Sequence, residues 1–195
     1  EAIFILATHG REAKGLAGGT DLLLSMKRES LKPGCVVCIK NIPGLDGIQY
    51  NEETGLKIGP LTNHQYIADS PIVKAKFGLL STACGKIGGP QIRSMGTIGG
   101  NICTAGPSQD SIPPLLALDA RLKITGTEGQ RTVPVDEFFI APFQTVLRET
   151  ELLTEIEIPP LPPDSAGCYK WLTKITSIDE TLVGVAVIIA LDPTK

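Results

Sequence analysis

The spacing of apolar and polar positions changes period along the chain, and each change predicts an element. In residues 1–13 the apolar positions Ile3, Ile5, Leu6 and Ala13 predict a helix that ends near Gly10. A short apolar piece, Gly15-Leu16-Ala17, precedes Gly18-Gly19, and Thr20-Asp21 heads the run LLLSMK. That order reads as strand, glycine turn and helix, with Thr20 as N-cap and Asp21 complementing the helix dipole. Residues 35–42 predict a strand, Pro43-Gly44 a turn, and residues 47–50 with 56–58 a hairpin around Asn51-Glu52-Glu53-Thr54-Gly55. Helical spacing sets in at Thr62, placed as a cap, and a second helix starts after Pro71 and runs to the region of Ile87. Beyond residue 110 the pattern predicts a short helix over 113–118, strands over 120–125 and 132–135 about a turn at 126–129, and a loop or short helix in 135–139. Residues 152–158 alternate as a strand, 159–164 form a proline-rich linker or edge, and a closing strand runs through 183–191. The change from one strand–turn–helix unit to hairpins and longer helices places a lobe boundary near residue 50. No internal repeat stands out beyond the two Gly-Gly segments.

The stretch 87–110, IGGPQIRSMGTIGGNICTAGPSQD, carries most of the candidate chemistry. Gly88-Gly89-Pro90 and Gly99-Gly100-Asn101 read as irregular backbone, because glycine admits positive φ and lets another backbone or a ligand come close. Grouped this way they predict a loop whose N–H groups can be reached. Thr97, Asn101, Thr104 and Ser108 add short polar side chains, and Asp110 adds a carboxylate at the far end. Amides and hydroxyls suit a ligand carrying phosphate or ribose, and a carboxylate suits a ribose or ribityl hydroxyl. The same residues can also form a glycine-rich surface turn with no ligand. In the earlier strand–turn–helix unit, the AGGTD turn points N–H groups at whatever sits above the helix start, for which a pyrophosphate is the usual occupant. Neither GxGxxG nor GxxxxGK[ST] occurs.

Composition narrows the classes. At 195 residues, 42% apolar and 20% charged, the chain suits one ordinary domain or two small lobes. A net charge of −3 gives no basic footprint for nucleic acid or an anionic membrane surface. The apolar run 185–191 is far shorter than the roughly 20 residues that cross a bilayer. The chain opens on EAIFILATHG without a starting methionine, which predicts a piece of a longer protein. The expected location is the cytoplasm.

Cysteines and histidines mainly exclude. Cys35-Val-Val-Cys38 has CxxC spacing, but no second ligand pair accompanies it. Its strand-like context GCVVCIKNI would turn Cys35 and Cys38 to opposite faces, a structural role. No cysteine pattern for an iron–sulfur cluster is present. Neither His9 nor His64 pairs with a nucleophile by spacing, no GxSxG occurs, and His64 reads as a surface or capping residue near a helix start. Glu52-Glu53 and Asp179-Glu180 read as solvated faces. No catalytic side chain and no metal site is predicted, so if the protein is an enzyme its chemistry belongs to a bound cofactor.

Ala17-Gly18-Gly19-Thr20-Asp21-Leu22-Leu23, together with Gly88-Gly89-Pro90-Gln91-Ile92-Arg93 and Gly96-Thr97-Ile98-Gly99-Gly100-Asn101, resembles the two flavin signatures of molybdenum-hydroxylase FAD domains. These occur in the medium subunit of carbon monoxide dehydrogenase-type enzymes and in xanthine dehydrogenase. The resemblance extends over DEFF at 136–139, ELLTEIEIP at 151–159 and the closing VGVAVIIAL.

It implies an α+β, two-lobed FAD-binding domain of the type shared with p-cresol methylhydroxylase (PCMH) and vanillyl-alcohol oxidase. A small N-terminal α/β lobe would span residues 1–50, and a larger lobe with an antiparallel sheet would span 51–182. Residues 183–195 would begin a further, truncated C-terminal domain. By matching, Leu16, Ala17, Gly18, Gly19, Thr20, Asp21 and Leu22 wrap the pyrophosphate with Lys14 nearby, and Thr97, Gly99, Gly100 and Asn101 form the second cofactor segment. Thr104 and Asp110 hold the ribityl and diphosphate side, and Leu153 lies against the flavin or its adenosine end. Ile87 stands where some relatives place an aromatic residue near the isoalloxazine. Trp171 stands where relatives carry a flavin-contacting lysine, with Lys170 or Lys174 as substitutes. The implied partners are a molybdopterin-containing large subunit, a small subunit with [2Fe–2S] clusters, and an electron acceptor such as NAD⁺ or a quinone. A stand-alone flavoprotein oxidase or dehydrogenase of the same superfold and an FAD-free scaffold subunit are the alternatives.

Overall fold

The structure, a computed structural model, describes residues 1–175 and 180–191. The N-terminal lobe opens with helix α1 (Ala2–His9), which buries Leu6 and ends at Gly10 with φ of 52°. Strand β1 (Ala13–Leu16) pairs in parallel with β2 (Cys35–Cys38), and helix α2 (Leu22–Lys27) lies in the crossover between them. Leu6, Ala13 and Val37 form a small core, with Cys35, Ile39 and Leu152 packed against it. Cys35 turns toward that core and Cys38 is exposed, as alternation along a strand requires. Thr20 does not cap α2: the helix starts at Leu22, and no side-chain cap bond forms at Asp21.

The larger lobe is built on a five-stranded antiparallel sheet in the order β3-β4-β9-β5-β6. Its strands are β3 (Ile48–Asn51), β4 (Gly55–Ile58), β5 (Arg121–Gly126), β6 (Gly129–Pro134) and β9 (Glu151–Ile158). The period-2 pattern sends Leu56, Ile58, Leu122, Ile124, Ile156 and Ile158 into the core. On the other face Lys57 and Lys123 interleave with Glu155 and Glu157, with Lys57 at 3.4 and 3.2 Å from the two carboxylates. Register breaks between Lys123 and Ile124, which pair with Glu155 and Leu153. Thr154 is the extra residue, and its hydroxyl lies 3.2 Å from the Lys123 carbonyl and 2.8 Å from Thr125 Oγ1. This bulge shifts the parity of β9, so that Leu153 rather than Thr154 turns into the core.

Helices α3 (His64–Asp69), α4 (Pro71–Lys76) and α5 (Gly78–Lys86) pack against the sheet. Asn63, one residue after the predicted cap Thr62, caps α3 by accepting from the Tyr66 amide at 2.7 Å. The Thr62 hydroxyl instead ties the Gly47 amide and carbonyl. The helix expected from Pro71 to Ile87 is two helices, broken at Phe77, whose φ of −133° leaves the helical region while its ring is buried. Helices α6 (Pro90–Met95), α7 (Ile98–Thr104) and α8 (Ile112–Ala117) follow. Gly99, Gly100 and Asn101 therefore sit inside a helix, contrary to the irregular backbone expected of them.

A short hairpin, β7 (Phe139–Ala141) with β8 (Gln144–Thr145), precedes β9. The chain closes with an antiparallel hairpin, β10 (Ser165–Thr173) with β11 (Thr181–Ala190). The pattern did not reveal β10, because Tyr169 is its one buried side chain. Two proposed boundaries move accordingly. Strand β3 belongs to the large sheet, so the lobes divide ahead of Ile48. A division at 182/183 would cut the β10–β11 hairpin. Asp179 and residues 192–195 lie outside the described residues.

Phe138 is fully buried and meets Phe139 edge-on at 5.3 Å between ring centroids. Phe138→Ala leaves a cavity there and should cost about 3–5 kcal/mol of stability. Denaturant unfolding of the two proteins measures this, and a loss below about 1 kcal/mol would mean that the site collapses around the smaller residue.

Candidate functional site

A cleft of about 820 Å³ runs between the two lobes, within the roughly 300–1,000 Å³ range of small-molecule and cofactor sites. The turn between β1 and α2 forms one side, and the stretch from Gly96 through α7 forms the other. Leu152 and Leu153 of β9 supply the inner wall, with Phe143, Thr145 and Leu147 near the β7–β8 hairpin at the rim.

The two glycine segments meet backbone to backbone. A Cβ on Gly18 would stand 2.0 Å from the Met95 carbonyl oxygen and 2.9 Å from Gly96 Cα, so no larger residue fits. The amides of Gly18, Gly19, Thr20 and Asp21 donate to no protein acceptor among the described residues. Gly18, Gly19 and Thr20 are half-buried, where a backbone donor without a partner is costly, and all four residues line the cleft. With α2 only six residues long, the useful feature of the turn is this set of open donors.

The second segment behaves differently, and the expectation of reachable amides fails there. The amide of Ile98 donates to the Thr62 carbonyl at 3.0 Å, and that of Gly99 to the Pro60 carbonyl at 2.8 Å. Gly100 donates to Thr97 Oγ1 at 3.1 Å, and Asn101 to the Thr97 carbonyl at 2.9 Å. Gly99 is needed for close packing, since a Cβ there would lie 2.4 Å from Pro60 Cβ. What this segment gives the cleft is glycine backbone with the side chains of Thr97, Asn101, Cys103 and Thr104. Thr104 donates to the Gly100 carbonyl at 2.8 Å and lies 3.2 Å from the Asp21 carboxylate, linking the two sides. The Asn101 amide group is fixed by Gln109 and by Ser111, whose hydroxyl donates to Asn101 Oδ1 at 2.6 Å.

His64 was expected at the surface and is instead 2% exposed, in the cleft wall. Its Nδ1 has no hydrogen-bond partner among the described residues. Burial, and then the nearby Arg93 guanidinium, lower its pKa to about 4, so the ring is neutral at pH 7. Arg93 itself is turned away, donating through Nε to Gln65 Oε1 at 2.8 Å and through Nη1 to the Ile87 and Gly88 carbonyls at 3.3 and 2.9 Å. It holds the turn that carries Ile87 into the cleft. The signal for burying His64 was present in the sequence: Ile67 and Ala68, three and four residues on, share its buried face.

Of the residues expected at the site, the structure gathers all but three around this cleft. Lys14, Ala17, Gly18, Gly19, Thr20, Asp21 and Leu22 line it from the first segment. Ile87, Thr97, Gly99, Gly100, Asn101, Thr104 and Leu153 line it from the larger lobe. Leu16 points away and packs beneath Gly19. Asp110 is 8% exposed and stands behind the lining, where its Oδ1 accepts from the Tyr169 hydroxyl at 2.5 Å. Trp171 is also outside the lining. It stacks on Tyr169 at 5.7 Å with an interplanar angle of 18°. The lysine near it is Lys86, 5.4 Å from the ring centroid, not Lys170 or Lys174.

Residues 1–161 match the family described as the FAD binding domain in molybdopterin dehydrogenase. The carbon monoxide dehydrogenase medium chain of Hydrogenophaga pseudoflava is 37% identical over 188 residues, which cover 96% of this chain and 65% of that one. The xanthine dehydrogenase FAD-binding subunit of Escherichia coli O157:H7 is 34% identical over 194 residues, covering 98% and 66%. Among solved structures, a carbon monoxide dehydrogenase from Hydrogenophaga pseudoflava superposes with a TM-score of 0.93 at 36% identity, over 98% of this chain and 66% of that one. Quinoline 2-oxidoreductase from Pseudomonas putida 86 gives a TM-score of 0.88 at 25% identity, over 95% and 63%. The chain thus spans just under two thirds of the length of these relatives. No described helix is long and apolar enough to cross a membrane. With the two glycine segments, the cleft between them and these matches in agreement, the chain belongs to the FAD-binding domains of the molybdopterin dehydrogenases.

Proposed function

We propose that this chain is the FAD-binding part of a molybdenum hydroxylase medium subunit. In that reading a molybdopterin-containing large subunit oxidises the substrate and a small subunit relays electrons through [2Fe–2S] clusters. When bound, FAD supplies the interchange between one-electron donors and a two-electron acceptor such as NAD⁺ or a quinone. The observation that carries the reading is the cleft between the glycine segments, lined by four backbone amides that donate to no protein acceptor among the described residues.

The residues present fit the cofactor's chemistry. Open amides from Gly18 to Asp21 suit a diphosphate, which brings acceptors and no donors. Lys14 adds a cation on the same side, and Ile87, Leu152 and Leu153 offer apolar surface for a ring system. The Thr104 hydroxyl and the Asp21 carboxylate suit ligand hydroxyls. The chain contributes binding, orientation and exclusion of water, and no side chain is assigned a role in covalent chemistry. Asp110 is assigned a contact to a cofactor hydroxyl. Tyr169 occupies its Oδ1, and Oδ2 has no protein partner among the described residues.

Purified protein should show oxidised-flavin absorbance, and acid should release stoichiometric FAD. Copurification of a molybdopterin protein and an iron–sulfur protein separates this reading from a stand-alone flavoprotein. A colourless chain that takes up no added FAD would leave the scaffold reading. Gly18→Ala drives a methyl group into the Met95 carbonyl and should lower FAD affinity by about tenfold or more, on the 1–3 kcal/mol scale of overpacking.

Asp110→Ala should also weaken FAD by about tenfold, the scale of one hydrogen bond. Tyr169→Phe removes only the wall contact, so it should lower the melting temperature and leave FAD affinity near wild type. Equal loss of FAD affinity in both variants would confine Asp110 to the wall.

A further inference from the structure

Where the two glycine segments touch, one polar side chain is left over. His64 lines the cleft, is almost wholly buried, and has a ring nitrogen without a partner. A Cβ on Gly96 would lie 3.4 Å from His64 Cδ2 and 3.5 Å from Thr20 Oγ1, so the imidazole edge and the Thr20 hydroxyl flank the same glycine. The Thr20 hydroxyl also has no protein partner among the described residues, and the open amides of the first segment line the same cleft.

The position of His64 is fixed from several sides. Its amide donates to the Gly96 carbonyl at 3.1 Å, Asn63 before it caps α3 and bridges to Thr97, and Ile67 and Ala68 anchor the helix in the core. The ring therefore cannot swing out to water. It can turn over about its own axis, which exchanges Nδ1 with Cδ2 in the same volume and presents the nitrogen to Gly96 and Thr20. The nearby cation, Arg93, is committed to Gln65 and two carbonyls and does not enter the cleft.

We propose that His64 is a further cofactor contact, its ring N–H donating to the diphosphate of FAD at the junction of the two glycine segments. This rests on the FAD reading of the cleft. A neutral imidazole has one N–H to donate, and a phosphate oxygen accepts it without any change in protonation. Riboflavin lacks the diphosphate, so a contact to that group distinguishes FAD from riboflavin.

The test compares FAD and riboflavin binding to the flavin-stripped chain by fluorescence titration, for wild type, His64→Leu and His64→Asn. Leucine fills similar space without a donor, and asparagine restores an amide N–H close to the Nδ1 position. His64→Leu should bind FAD about tenfold more weakly, with riboflavin affinity and melting temperature unchanged, and His64→Asn should recover most of the loss. FAD binding by His64→Leu equal to wild type, or an equal loss for riboflavin, would overturn the assignment while leaving the cleft as the FAD site. Failure of the wild-type chain to bind FAD would remove both. Should His64→Leu not fold, His64→Asn against His64→Ala gives the same comparison.

Discussion

The site depends on the approach of two stretches of backbone, Gly18 on one lobe and Met95-Gly96 on the other. Two ångströms between a would-be Cβ and a carbonyl oxygen leave room for hydrogen and nothing more. That contact sets how near the lobes come, and so the width of the cleft beside it. The first segment leaves its amides unbonded. Between a strand that ends at Leu16 and a helix that starts at Leu22, those donors make no bond to a carbonyl of the described residues. On the proposed reading, the diphosphate of FAD supplies the acceptors for them.

The opposite side is stabilised from within. Every amide from Ile98 to Asn101 is bonded to protein, to Thr62, Pro60 or Thr97, and the side chains behind it bond to one another. Asn101 is held by Gln109 and Ser111, and Asp110 by Tyr169, whose hydroxyl is held well above its ordinary pKa first by burial and then by the carboxylate. Buried polar groups satisfied in this way keep one arrangement, because each alternative would leave a donor or acceptor unpaired. The two segments thus share glycine chemistry and divide the work: one offers donors, the other offers a fixed surface. His64 sits between them as the exception, a buried ring whose Nδ1 has no hydrogen-bond partner among the described residues.

Much of this was legible in the sequence. The strand–turn–helix at 13–27, the hairpin at 48–58 and the order of the two glycine signatures follow from period, turn residues and spacing. Fourteen of the residues expected at the site line one cleft through elements far apart in the chain. Gly99-Gly100-Asn101 was read as loop because glycine disfavours helix by roughly 1 kcal/mol per residue. The need for backbone to reach Pro60 outweighed that propensity. His64 was read as exposed because a histidine beside a cap is ordinarily solvated, and the Ile67–Ala68 face only becomes decisive once α3 has a core to pack on. β10 escaped because a hairpin with one buried side chain has almost no hydrophobic alternation to detect.

The bulge in β9 carries a last consequence. Leu152 packs into the core of the small lobe and Leu153 into that of the large one. Adjacent residues of a strand face opposite ways, so one strand anchors both lobes at the inner wall of the cleft. Without the extra residue at Thr154, parity carried down from Ile158 and Ile156 would turn Thr154 inward and Leu153 out. The wall would then present a hydroxyl to the core and lose its apolar surface. The bulge thus aligns sheet register, lobe spacing and cleft lining at one point. Lobe packing and the apolar lining of the cleft therefore rest on the same two leucines.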